Sequence, residues 1–133
     1  MLGLLTVLAC SGDPSPAVTV DGAWVRMMPP GAPNTAGFMT LTSPVDDALV
    51  GASATIAGSV ELHTHLEQGG MMRMRRVERV ELPAGVPVEL KAGGDHVMFI
   101  GLKVALTEGQ EVPVTLQLAS GETVDLSAPV RAE

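Results

Sequence analysis

The chain has 133 residues, 46% of them hydrophobic and 2% aromatic, with a formal net charge of -7 and one cysteine. That length suits a single domain able to bury roughly two-thirds of its unfolded surface, and a lone Cys excludes a disulfide framework. The acidic balance without a basic patch excludes nucleic-acid binding, which rests on clustered Lys and Arg.

The chain opens on MLGLLTVLAC, an apolar run too short to span a bilayer, which takes about 20 residues. Val7-Leu8-Ala9-Cys10 followed by SGDPSP resembles a bacterial lipobox, in which Cys10 is acylated and becomes the first mature residue. The run lacks the Lys or Arg usual at such a start, and the alternative is an ordinary secretion signal with an incidental Cys10. Residues 1–17 are therefore expected to be a signal and linker, and residues 18–133 one exported domain in the periplasm or cell envelope, with possible membrane anchoring through Cys10. No Cys follows Cys10, so an oxidising compartment cannot disable the domain through disulfides.

Beyond the linker the pattern is almost wholly β. Strands are expected at Val18 to Met28, Ala36 to Thr42, Asp47 to Ile56, Ser59 to Leu66, Met71 to Leu82, Val86 to Leu90, His96 to Leu102, Glu111 to Leu118 and Thr123 to Val130. Pro and Gly clusters separate them, and short strands at this spacing suggest a sandwich or barrel. Trp24 is expected to anchor one end of the core, and Met27, Met28 and Met39 read as strand or core residues.

The stretch VELHTHLEQGGMMRM reads as strand, turn, strand, with Glu61, His63, His65 and Glu67 alternating with Val60, Leu62, Thr64 and Leu66. A loop over Glu67 to Gly70 would set Leu66 against Met71, His65 against Met72 and His63 against Met74, each opposed pair on one face with Cβ atoms about 5 Å apart. Met71 would then face away from any site and pack, while His65 and Met72 could form a second soft pair. Arg73, Arg75 and Arg76 read as a solvated strand face, and Glu61 and Glu67 as solvated edge or turn residues.

In GGDHVMFIGL, His96 and Met98 are two residues apart and share a strand face, while Val97 and Phe99 point to a core. Asp95 could hold the His96 tautomer, although adjacency in an ideal strand turns it to the opposite face. Together His63, Met74, His96 and Met98 offer neutral imidazole and thioether donors without a carboxylate or thiolate. That chemistry selects a soft metal, above all Cu(I).

The same residues argue against other chemistries. A blue-copper carrier needs a Cys ligand, and a copper oxygenase built on a mature N-terminal His meets Cys10 at the cleavage point. Hydrolase motifs are missing. Zinc binding by His63, His65 and His96 would leave both methionines unexplained, so no enzyme is expected.

The arrangement H-x10-M-x21-H-x-M formed by His63, Met74, His96 and Met98, set in VELHTH, MRMRRVE and GGDHVMFIGLK, resembles the PCuAC family of periplasmic copper chaperones. AWVRMMPPGAPNTAGFMTL and ELPAGVPVELKAGG resemble other stretches of that family, and the likeness runs from about Val18 to Val130. The resemblance implies an all-β, cupredoxin-like Greek-key sandwich or barrel. It also implies a Cu(I)-binding protein that hands copper to a recipient such as the binuclear copper centre of cytochrome c oxidase or another copper chaperone. A copper buffer or tolerance protein, or an anchored structural sandwich without transfer, would carry the same residues.

Overall fold

The computed structural model describes residues 17–132, so the expected signal segment with Cys10 lies outside the described residues. Alternation of apolar and polar side chains with a period of two builds strands, and ten are present, with no helix among the described residues. They are β1 (Thr19–Arg26), β2 (Asn34–Thr42), β3 (Asp47–Ser53), β4 (Ala57–Gln68), β5 (Met71–Val77), β6 (Val80–Leu82), β7 (Val88–Leu90), β8 (His96–Leu102), β9 (Glu111–Leu118) and β10 (Thr123–Arg131).

Hydrogen bonding orders the strands β5-β4-β8-β2-β1-β10-β9-β3-β6, with β7 pairing β2 off this path. Strands distant in the chain become neighbours, β4 with β8 and β3 with β9, as Greek-key connections require. A short parallel pairing, Val25↔Val130 and Arg26↔Arg131, joins the two halves of the sheet. The sheet folds over one core, drawn from Leu41, Leu62, Val97 and Phe99 on one half and Leu49, Leu82, Val112 and Leu116 on the other. Each such fully buried side chain contributes about 1.5–3 kcal/mol. Every second residue of β4 and β8 therefore faces away from the core, and His63, His96 and Met98 occupy those outward positions, while Met74 lies on the neighbouring strand β5.

Two strand spans and one core residue differ from expectation. Predicted strand Asp47 to Ile56 ends at Ser53, and Met71 to Leu82 is two strands, β5 and β6, which lie at opposite edges of the sheet. Trp24 is half-buried outside the core, with its ring centroid 4.9 Å from Phe38. Val25 takes the core place, because alternation allows only one of two adjacent residues to face inward.

The largest correction concerns the β4–β5 hairpin. Gly69 and Gly70 have φ of 60° and 82°, the two left-handed positions of a type I′ turn that only residues such as glycine adopt readily. The loop is thus two residues long, and Gln68 pairs with Met71. His65 faces Met74, Leu66 faces Arg73, Glu67 faces Met72, and His63 faces Arg76. The expected pairings of His63 with Met74 and His65 with Met72 do not form.

A candidate metal centre on the outward face

The outward face of β4 and β8 is roofed into a cavity of about 400 Å³ by the β1–β2 connection and the turn before β8. That connection is fixed at both ends. The buried Thr35 hydroxyl donates to the Arg26 carbonyl at 2.6 Å, and Leu102 N–H donates to the Pro33 carbonyl at 2.8 Å. Asn34 adds a side-chain acceptor for Gly101 N–H at 3.3 Å.

Three of the four expected ligands, Met74, His96 and Met98, line this cavity together with His65. His63 is not among the lining residues, but it is the direct ladder partner of His96, with ring centroids 6.1 Å apart. The His65 ring is nearer to His96, at 5.3 Å. Met28, expected to be ordinary strand or core, is also in the cavity wall. Met39 is buried in the core as expected.

The side chains differ in access. His96 is 3% exposed, whereas Met74 on edge strand β5 is 46% exposed. One donor is therefore sealed in the fold and another meets solvent at the sheet edge. Met71 was expected to pack, yet it is 63% exposed beside the turn. Arg73, Arg75 and Arg76 are solvated as expected.

Hydrogen bonds define which nitrogen each imidazole presents. His96 Nδ1 lies 3.0 Å from the Gly94 carbonyl, which can only accept, so neutral His96 carries its proton on Nδ1 and presents the Nε2 lone pair. The orienting group is a backbone carbonyl and not the Asp95 carboxylate considered from sequence. His63 Nε2 lies 2.9 Å from Glu61 Oε1, and donation to that carboxylate leaves the Nδ1 lone pair. Glu61, expected to be solvated, is half-buried and also lies 3.9 Å from Arg76 Nε.

The Nδ1 atoms of His63 and His65 are buried and have no hydrogen-bond partner among the described residues. Buried polar atoms in native proteins ordinarily have a partner, and a metal ion supplies one for an imidazole lone pair. Among the described residues, no group of three or more His, Cys, Asp and Glu is arranged to hold a metal by itself. The thioethers of Met74 and Met98 stand with the imidazoles of His65 and His96 in one cavity wall, a donor set that suits a soft metal.

Burial pushes the His96 imidazole below its ordinary value of 6.5. The Gly94 hydrogen bond opposes that effect, and His65, His63 and Arg26 add repulsion in the same direction as burial. A neutral imidazole is the ligating form, so the sealed position favours the state that binds metal. Phe38, 6.2 Å from His96 by ring centroids and capped by Arg26 at 5.1 Å, forms the apolar side of this pocket.

Comparison with known proteins agrees with the fold. The family described as "Putative lipoprotein LpqE-like" matches residues 18–130. "Putative lipoprotein Lxx21020" of Leifsonia xyli subsp. xyli is 32% identical over 121 residues, covering 90% of this chain and 73% of that protein. The solution structure of CuI-DR1885 from Deinococcus radiodurans has a TM-score of 0.71 at 40% identity, covering 87% of this chain and 79% of that one. The copper-bound PCuAC domain from PmoF2 shares the fold, with a TM-score of 0.72 at 21% identity over 87% of this chain and 93% of that one.

Proposed function

Since this chain belongs to the LpqE-like family, we propose that it is a non-enzymatic copper carrier of the cell envelope. It holds Cu(I) through His63, Met74, His96 and Met98 and passes the ion to a recipient protein. The placement of His96 and Met98 in one cavity with Met74 is the observation that carries this reading. The Cu(I) form of the Deinococcus radiodurans relative adds support, as a protein of 40% identity with the metal in its description.

Copper is the cargo here, and the residues fit it. The thioethers and neutral imidazoles are soft to borderline donors, and two buried imidazole nitrogens await a partner. Without thiolate or carboxylate ligands the site gives little charge stabilisation to a hard dication. Met74 at the solvent-exposed edge is a donor that an incoming ligand of a recipient can displace first, while His96 and Met98 retain the ion. The recipient is a copper protein such as cytochrome c oxidase, at its binuclear copper centre, or another copper chaperone. Acylated Cys10 anchors the domain to a membrane, as the lipoprotein names of the family and the Leifsonia xyli relative suggest.

The deciding experiment titrates the domain from residue 10 onward, with Cys10→Ser, with Cu(I) against a competing chelator, beside the variant with alanine at positions 63, 74, 96 and 98. One-to-one binding lost in the variant supports the site, and equal binding in both removes it. Transfer is then read by mixing the loaded domain with an apo copper acceptor and following the metal. Retention of copper by the donor would favour the copper-buffer reading.

A further inference from the structure

We infer that His65 is a further donor to the same ion, sharing it with Met74, His96 and Met98 and exchanging with His63. This rests on the copper reading above and adds a residue that the motif spacing passes over.

Two separate features place His65 at the site. The two-residue turn at Gly69-Gly70 sets the hairpin register, and that register puts His65 directly opposite Met74. Side chains of directly opposed residues share a face with Cβ atoms about 4.5–5.5 Å apart, so an imidazole and a thioether stand side by side. Across the other edge of β4, the His65 ring is 5.3 Å from His96 by centroids, a shorter separation than the 6.1 Å between His63 and His96. His65 lines the cavity that Met74, His96 and Met98 line, and its Nδ1 is buried without a hydrogen-bond partner among the described residues.

His63 is held differently. Its Nε2 is bound to Glu61, and its Nδ1 is the second buried nitrogen without a partner. Both imidazoles sit on the outward face of β4, two residues apart, with His96 within reach of each. An ion bound to His96 can therefore take Nδ1 of His65 or of His63 by a small displacement along β4. No electron moves in that exchange: one Cu–N bond forms as the other breaks. A carrier with one imidazole in reserve can yield a coordination position to a recipient without releasing the ion.

The test is an anaerobic Cu(I) titration against a competing chelator with wild-type protein, H63A, H65A, the H63A/H65A double variant and H96A, each first checked for fold by its amide NMR spectrum. Ring-nitrogen resonances of wild-type protein are followed alongside, which requires no variant. The expected result is a copper-dependent shift of the His65 Nδ1 resonance. H63A and H65A should each weaken binding by about tenfold, the low end of the loss seen when a metal site's supporting groups are removed, and the double variant by more than the product of the two. A His65 resonance unmoved by copper, with H65A binding as wild type while H96A loses affinity, overturns the role of His65 and leaves the copper site standing. Equal affinity of H96A and wild type overturns the copper reading and this inference with it.

Discussion

His65 faces Met74 across the β4–β5 ladder, while His63, two residues earlier, faces Arg76. The thioether of Met74 thus enters the site from the exposed hairpin, and Met98 enters from the interior strand β8. Replacing both leaves Met28 as the one thioether among the residues that line the cavity. Met74→Ala with Met98→Ala is expected to weaken Cu(I) binding by more than about 100-fold, beyond the range of supporting-group losses. Chelator competition measures it, and an unchanged affinity would contradict the assignment.

Glu61 orients His63 by accepting from Nε2 at 2.9 Å. Glu61→Ala frees the ring to turn and lets either nitrogen carry the proton. Cu(I) affinity should fall about tenfold with the fold intact, in line with other groups that orient metal-bound histidines. Glu61→Gln keeps an acceptor oxygen and should recover part of the loss, whereas identical affinities for both variants would remove Glu61 from the site.

The lowered His96 value has a defined consequence for the metal-free protein. The unfolded chain protonates this imidazole near 6.5, and the folded chain does so only at lower pH. Between those two points the unfolded state holds more protons, so folding stability falls as pH drops below about 6.5 and levels off once the folded imidazole is protonated. Urea midpoints measured from pH 7.5 to pH 5 should show this slope, and His96→Gln should flatten it. Proton competition for His96 in the folded protein sets in only as pH approaches that lower value, so copper affinity should begin to fall further down the pH scale than stability does.

Gly37 lies under the core aromatic on the strand beside the site. A Cβ added there would stand 2.9 Å from Phe99 Cε2, and Phe99 is fully buried. Gly37→Ala should destabilise the domain by about 1–3 kcal/mol, the usual cost of overpacking. A lower midpoint in denaturant with unchanged slope would register it, and a wild-type midpoint would mean that the ring moves aside at no cost.

The strands were legible because a period of two is written directly into the residues: His96–Leu102 and Glu111–Leu118 occupy the expected spans. The hairpin register was not, for a definite reason. A four-residue loop and a two-residue loop around Gly69-Gly70 differ by two positions in pairing, and a shift of two leaves every side chain on its original face. The hydrophobic pattern is identical in both registers, so only the left-handed backbone at the two glycines separates them. The same limit hid the partner of His96, since the Gly94 carbonyl has no side-chain signature. The cavity wall from Met28 to Pro33 comes from the connection between β1 and β2, whose path depends on hydrogen bonds to Arg26 and Leu102 across the fold.

Strand β4 runs to Gln68, but its ladder to β8 ends at the His63↔His96 pair, so residues beyond it are braced by β5 alone. A two-stranded ribbon is marginal by itself in water, and this one carries His65 and Met74 while the sandwich carries His96 and Met98. The site is thus a pincer with one jaw built into the body and one on a projecting arm. A metal bridging the jaws would do the work that a third strand does elsewhere in the sheet. Loading would then be recorded in the backbone as well as at the ligands, as slower amide exchange along residues 64–75 that is lost again when the ion is removed.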